Sequence, residues 1–207
     1  MNGREAPLQH CLEAGMHALQ DADCRAAVFI PLVEREGSHH VVFEVRAKHL
    51  KRQPGEVCLP GGHIEPGESA REAAIRETCE ELLVDVSQLR EIVDLGRING
   101  PGGLPLRLFA GTLSGYDGSF DAEEVDSTFS VPVRYFLEND PAVYHGRLVF
   151  DPPDDLPWES IPNGRGYHWH NHVHAIPFYD GITPLIWGFT ARVMVLFTRY
   201  LKAGGYR

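Results

Sequence analysis

The sequence is poor in cysteine, in positive charge and in long apolar runs. It has four cysteines in 207 residues, and no two of them form a C-x-x-C pair, which argues against a zinc site and favours reduced thiols. Lys and Arg number 19 against 29 Asp and Glu, a net charge of -10. Proteins that coat nucleic acid or bind anionic membranes need a positive field, so neither partner is expected.

No segment is apolar for long enough to cross a bilayer. The most apolar late stretch, residues 185–201, is interrupted by Arg192 and Arg199. The first ten residues, MNGREAPLQH, contain no apolar h-region, so we expect no secretory leader and a cytoplasmic location. The last four, GGYR, carry no peroxisomal tripeptide.

The remaining composition, 43% apolar and 23% charged, is typical of one globular domain. Apolar spacing predicts helices at residues 8–20, 131–137 and 187–202. It predicts strands at residues 26–33, 41–46, 92–98 and 106–113, the last two forming a hairpin across Gly100–Gly103. Strands alternating with helices indicate the α/β class. We expect one domain over residues 1–207, with a helical extension at 1–24 and a C-terminal extension at 141–207 that packs on the core.

The stretch from residue 59 to 85, LPGGHIEPGESAREAAIRETCEELLVD, contains a helix with crowded glutamates. Ser69 and Glu72 form a predicted capping box at its start. At about 100° per residue, Ile75, Thr78, Cys79 and Leu82 are predicted to face the core. The glutamates fall in a sector on the other side: Glu77, Glu80 and Glu81.

Like charges three and four residues apart on a helix repel each other. A solvated helix face is one explanation, since acidic runs are common on surfaces. A divalent cation is the other: Mg²⁺ and Mn²⁺ prefer oxygen ligands and offset the repulsion. Pro60-Gly61-Gly62 lies just upstream, and glycine lets the backbone approach a ligand closely. This context favours the cation.

The spacing resembles the motif of the Nudix family. That motif has a Gly, a Glu six positions later, and then R-E-U-x-E-E-x-G-U, with U apolar. In this chain the Gly is Gly62, the Glu is Glu68, and the last part runs from Arg76 to Val84. Two positions differ: Thr78 stands for an apolar residue, and Leu83 replaces the Gly near the helix end.

The resemblance implies a fold, a cofactor and roles for the matching residues. The fold is an α/β/α sandwich with a mixed β-sheet between helices, and the reaction is metal-dependent hydrolysis of a diphosphate with Mg²⁺ or Mn²⁺. Glu77 and Glu81 are the implied metal ligands, with Glu80 and the backbone at Gly61-Gly62 assisting. Arg76 orients Glu77, and Glu68 holds Arg76.

The preceding segment resembles the coenzyme A pyrophosphatase branch of that family, whose signature is L-L-T-x-R-[SA]-x3-R-x3-G-x3-F-P-G-G. Six positions match it: Arg46, Ala47, Gly55, Pro60, Gly61 and Gly62. Lys51 stands where the signature has its second Arg, next to Arg52, and Leu59 stands for Phe. The late stretch IWGFTA at residues 186–191 also resembles this branch.

The branch implies coenzyme A or acyl-coenzyme A as substrate. Arg46, Lys51 and Arg52 are then the expected phosphate-binding residues, with Gly61 beside them. ADP-ribose or another nucleotide sugar is the rival substrate, and a ligand-sensing domain without activity is a further alternative. A homodimer is left open.

A general base is also needed, and two glutamates are candidates. Glu124, in an acidic loop at Glu123-Glu124, is the first candidate and Glu80 the second. Glu123 and Glu124 can also be no more than the acidic start of a turn.

Four histidines alternate along residues 167–178, which we predict to be a strand with Trp169 and Val173 facing the core. They are His168, His170, His172 and His174. Alternate residues on one strand do not easily surround a tetrahedral ion, so a polar sheet face or subunit contact is favoured over a second metal site.

Overall fold

Ten strands and three helices make up the computed structural model, which describes residues 23–170 and 172–206. The helix predicted at residues 8–20 lies outside these ranges. The strands are β1 (Ala26–Arg35), β2 (Ser38–Arg46), β3 (Val57–Cys58), β4 (Gly61–His63), β5 (Leu89–Asn99), β6 (Pro105–Leu113), β7 (Val125–Pro132), β8 (Ala142–Leu148), β9 (His172–Tyr179) and β10 (Ile186–Trp187). The helices are α1 (Ala70–Leu82), α2 (Val133–Glu138) and α3 (Gly188–Ala203).

A mixed seven-stranded sheet is the centre of the fold. On one side, β1 pairs with two strands, β2 and β4. On the other side it runs parallel to β6, from Ala26 opposite Leu106 to Leu32 opposite Thr112. Its C-terminal half pairs antiparallel with β2, and its N-terminal end pairs antiparallel with β4. This division brings the glycines of β4 alongside the middle of the sheet.

Two apolar clusters cover the two faces of the sheet. One contains Ala27, Phe29 and Val42 of the strands together with the small and apolar residues of α1. The other contains Ile30, Val41 and Phe43 together with α2 and α3. Successive residues of a strand point to opposite faces, so the continuous apolar runs in β1 and β2 supply both clusters. The predicted α/β/α sandwich is confirmed.

The predicted hairpin is also confirmed, as β5 and β6 pair antiparallel from Leu89–Leu113 to Asn99–Pro105. The predicted late helices are present as α2 and α3. Within the described residues, no helix has both the length and the apolar character needed to cross a membrane.

The histidine segment differs from its prediction. The strand begins only at His172, which pairs with Leu148 at the end of β8. His168 and His170 precede it, so the four side chains do not share one strand face. Val173 is 73% exposed, and the half-buried Trp169 packs on Phe150 and Tyr167 instead of the main core. The strand therefore begins where its antiparallel partner β8 ends.

Candidate active site

Helix α1 begins as the sequence predicts. The backbone N–H of Glu72 donates to Ser69 Oγ at 3.2 Å, and the Ser69 N–H donates to Glu72 Oε2 at 2.9 Å. These reciprocal bonds satisfy two of the N–H groups that a helix start leaves without partners. They fix the first turn, and with it the rotation of the glutamates that follow.

The buried side of α1 is rotated from the predicted one. Thr78 and Leu82 are buried as expected, but Ile75 and Cys79 are only half-buried. The buried positions are Ala70, Ala73, Ala74, Thr78, Glu81 and Leu82. Alanines let the helix lie close to the sheet, and this turns Glu81 inward while Glu80 stays exposed. Two of the three glutamates therefore face the sheet edge and one faces solvent.

Arg76 joins the carboxylates of this region. Its Nε and one terminal nitrogen donate to the two oxygens of Glu68 at 2.9 and 3.1 Å. Its other terminal nitrogen lies 3.0 Å from Glu77 Oε1 and 3.0 Å from Glu80 Oε2. These bonds raise the pKa of Arg76 and lower that of Glu68. The geometry matches the orienting role that the sequence implies for Arg76, which remains a prediction.

Gly61 and Gly62 bring the backbone of β4 against Glu81 and Glu77. The Gly61 N–H donates to Glu81 Oε2 at 2.9 Å. A Cβ on Gly62 would lie 2.2 Å from Glu77 Oε1. Any larger residue at that position therefore displaces the carboxylate, which explains why glycine is needed there.

Glu77 and Glu81 share a partly buried, negatively charged environment. Burial, reinforced by Glu77 and Glu124, raises the pKa of Glu81 to about 8 against the opposing bond from Gly61. Burial also raises the pKa of Glu77, even though Arg76 opposes the change. These side chains are thus held where their charged forms are unfavourable unless a positive charge is added.

Glu44 is the residue that the sequence analysis missed. It lies in the middle of β2, is 1% exposed, and has a pKa raised well above its usual value by burial and then by Glu81. The signal was present in the sequence, because Glu44 is the only acid inside the apolar run VVFEV. A single carboxylate within a buried strand calls for a partner.

The donor set suits a hard divalent cation. Carboxylate oxygens are the ligands that Mg²⁺ and Mn²⁺ prefer, and a buried carboxylate oxygen of Glu44 has no hydrogen-bond partner in the structure. In the positions described for residues 23–170 and 172–206, however, no three His, Cys, Asp or Glu side chains form a ready-made metal-holding group. The Gly61 N–H holds Glu81, and Arg76 separately holds Glu77. Binding an ion therefore requires these side chains to rotate.

Glu124 lies at the rim of this group. It is exposed in the turn that begins at Asp121, and its backbone carbonyl accepts from the Ala47 N–H at 2.9 Å. Its charge contributes to the raised pKa values of Glu44, Glu77 and Glu81. The structure thus brings this predicted base close to the carboxylates, on the solvent side.

A cleft of about 850 Å³ opens beside Gly61 and Gly62. Three of the predicted substrate-binding residues, Arg46, Arg52 and Gly61, line it. Lys51 is exposed in the same loop and, in the described structure, does not line the cleft. Trp187 and Phe189, from the late stretch that resembles the branch, also line the cleft, as does Arg192, which was not predicted. Arg192 comes from α3, far along the chain from Arg46.

Known proteins match this chain over most of its length. The family model described as the NUDIX domain matches residues 24–142, more than half of the chain. The peroxisomal coenzyme A diphosphatase NUDT7 of Mus musculus is 31% identical over 172 residues, covering 82% of this chain and 67% of that protein. An uncharacterized Nudix hydrolase, NudL of Yersinia pestis, is 27% identical over 180 residues, covering 86% and 80%.

Among solved structures, a MutT/nudix family protein from Enterococcus faecalis resembles the whole chain. The TM-score is 0.50 at 14% identity, and the match covers 96% of this chain and 71% of that one. At this identity the likeness shows the fold alone.

Proposed function

The chain belongs to the NUDIX family and is a Nudix hydrolase, and from this premise we propose that it cleaves the diphosphate of coenzyme A or acyl-coenzyme A. The products are adenosine 3′,5′-bisphosphate and (acyl)phosphopantetheine. The observation that carries the proposal is the cleft, which three arginines line together with the glycines of β4: Arg46, Arg52 and Arg192.

Coenzyme A carries a diphosphate and a separate 3′-phosphate, so it needs cations at more than one point. Arginine suits this task because its planar fork binds two phosphate oxygens at once. Trp187 and Phe189 add aromatic side chains to the lining, which suits a nucleobase. The signature before the Nudix motif and the similarity to the mouse coenzyme A diphosphatase support the same substrate.

The carboxylates have separate tasks in this proposal. Glu77 and Glu81 hold the divalent ion, Mg²⁺ or Mn²⁺, with Glu80 and the Gly62 backbone assisting. When bound, the ion neutralises charge on the phosphoryl oxygens and lowers the pKa of water. Arg76 keeps Glu77 in position by the 3.0 Å contact between them.

The chain's own residues then perform hydrolysis. Glu124 accepts a proton from water as the water oxygen attacks phosphorus, and the bridging P–O bond breaks with its electrons passing to the departing phosphate. Arg46 and Arg52 stabilise the charge that develops on the two phosphate groups.

A substrate comparison tests the proposal. Turnover is measured with coenzyme A, acetyl-coenzyme A, ADP-ribose and nucleoside triphosphates, each with Mg²⁺ and with Mn²⁺. We expect the highest kcat/KM for the coenzyme A species and release of adenosine 3′,5′-bisphosphate. A clear preference for ADP-ribose overturns the substrate assignment and leaves the hydrolase intact.

A further inference from the structure

Glu44 is a buried acid for which the proposed mechanism has no use. It stands opposite Cys58 of β3 and Thr128 of β7, so its strand is flanked on both sides at this point. The side chain is almost fully shielded from solvent. An ionised carboxylate at such a place is strongly unfavourable unless a cation or several donors compensate it.

The alternation of β2 shows which way Glu44 points. Val41 and Phe43 belong to the cluster under α2 and α3, whereas Val42 belongs to the cluster under α1. Glu44 follows Val42 by two residues and therefore lies on the α1 face of the sheet. That face carries Glu81, whose charge is the second largest cause of the raised pKa of Glu44.

The described protein groups compensate the Glu44 carboxylate only in part. The Cys58 thiol, a weak donor, lies 3.7 Å from Oε2, and Oε1 has no hydrogen-bond partner. Glu81 and Glu124 add repulsion, and the opposing charge of Arg46 has a smaller effect than burial or Glu81. A buried, unpartnered oxygen on the side of the metal-site glutamates indicates a ligand outside the protein.

We propose that Glu44 is an additional oxygen donor of the divalent-cation site formed by Glu77 and Glu81, an inference that rests on the proposed metal-dependent function. A hard cation satisfies the free oxygen and the buried charge together. In the signature that this segment resembles, the position of Glu44 is a neutral Thr. The extra carboxylate therefore makes the site of this chain more negative and its hold on the ion tighter.

Manganese binding in the absence of substrate tests this role directly. Full-length protein is titrated with MnCl₂ near neutral pH, and free Mn²⁺ is measured by electron paramagnetic resonance. We expect Glu44→Gln and Glu44→Thr to weaken binding by about tenfold or more, as loss of an oxygen ligand does. Glu123→Gln is the matched control: it removes one nearby negative charge from an exposed position and is expected to change Kd less than about twofold.

Glu81→Gln and thermal melting separate the possible outcomes. If Glu81→Gln abolishes Mn²⁺ uptake while Glu44→Gln binds as the wild type does, the role of Glu44 is overturned and the metal site stands. If the wild type takes up no Mn²⁺, both are overturned.

Melting in EDTA distinguishes a ligand from a structural acid. Removing an uncompensated charge is expected to leave the Tm of the metal-free protein unchanged or raised, and to shrink the rise in Tm that Mn²⁺ produces. A lower Tm in EDTA together with an unchanged Mn²⁺-dependent rise overturns the proposal. Glu44→Thr supplies the same comparison if Glu44→Gln does not fold.

Discussion

At the scale of single residues, the neighbouring glycines of β4 have different physical requirements. Gly61 has φ 151°, and a Cβ there would lie 2.3 Å from the Ala27 carbonyl oxygen. Gly62 is limited by the Glu77 carboxylate, which is the far end of a flexible side chain. Gly61 therefore maintains the sheet, and Gly62 maintains the position of a proposed metal ligand.

A pair of alanine variants separates these roles. Gly61→Ala is expected to lower stability by about 2 kcal/mol or more, because backbone must move to admit the methyl group. Gly62→Ala is expected to fold with little loss of stability but to lose about tenfold or more in Mn²⁺ affinity, because Glu77 is displaced. Thermal melting and Mn²⁺ titration of both variants check this. Equal losses of stability in the two would contradict it.

The proposed base gives a second prediction at this scale. Glu124→Gln is expected to lower kcat by about 10²-fold, since a glutamine cannot accept the proton. Glu123→Gln removes a charge from the same loop and should keep kcat within about twofold. Steady-state rates at saturating substrate measure both. An unchanged kcat in Glu124→Gln would show that Glu124 is not the general base, and Glu80 would be the next candidate.

At the scale of elements, the end of α1 shows what a single replacement costs. Leu83 stands where the Nudix motif has glycine, is 60% exposed, and adopts φ 51° and ψ 47°. Its N–H still donates to the Cys79 carbonyl, so the helix ends in the left-handed conformation that glycine favours. The replacement thus stores strain without visibly redirecting the chain.

Restoring glycine should release that strain. Leu83→Gly is expected to stabilise the protein by about 1 kcal/mol. Glycine removes the cost of the left-handed conformation, and the greater entropy that it gives the unfolded chain offsets part of this gain. Val86→Gly is the control: Val86 is similarly exposed and has no positive φ, so the change should destabilise by about 0.5–1 kcal/mol. Chemical denaturation measures both, and a destabilised Leu83→Gly would contradict the strain.

The elements also show what sequence reasoning can and cannot reach. The capping box, the hairpin and the glutamate spacing are local patterns, and local patterns were sufficient to predict them. The inward turn of Glu81 depends on how closely the alanines of α1 approach the sheet, and Arg192 reaches the cleft only through the packing of α3. Helical spacing fixes the angles between side chains around a helix, but it does not fix which side of the helix packs on the core. The inward turn of Glu81 and the place of Arg192 therefore require the tertiary structure.

At the scale of the whole molecule, charge is unevenly distributed. The chain has a net charge of -10, yet Arg46, Arg52 and Arg192 line one cleft. An anionic substrate is repelled by the molecule as a whole and attracted by this cleft. The affinity for an anionic substrate should therefore depend on whether a positive charge lies in the cleft, and little on the net charge of the protein.

Adjacent basic residues test this dependence. Arg52→Met and Lys51→Met change the net charge equally, but only Arg52 lines the cleft. Arg52→Met is expected to raise KM for coenzyme A about tenfold, corresponding to about 1.4 kcal/mol, with kcat little changed. Lys51→Met should alter KM less than about twofold. Matching increases in the two variants would show that total charge dominates.

The buried acids make the stability of the metal-free protein depend on pH. The pKa of Glu81 is about 8 in the folded chain against a usual 4.5, so the unfolded chain loses this proton first as pH rises. The contribution of Glu81 to the free energy of unfolding is complete below about pH 4.5 and is lost as pH rises through about 8.

Denaturation in EDTA at several pH values measures this dependence. We expect stability to fall between about pH 5 and pH 8.5, and Glu81→Gln to flatten the decline because glutamine does not titrate. A decline of the same slope in Glu81→Gln would assign the effect to other groups.

The parallel pairing of β1 with β6 has a consequence for biosynthesis. Ala26 meets Leu106, and β4 and the whole of α1 lie in the chain between them. Closing so long a loop costs entropy that is recovered only when the two strands zip together. While the ribosome is still adding residues up to Leu113, every glutamate of α1 has already been synthesised but the sheet that orders them is incomplete. The nascent chain thus assembles its proposed catalytic centre late, after β6 has left the exit tunnel.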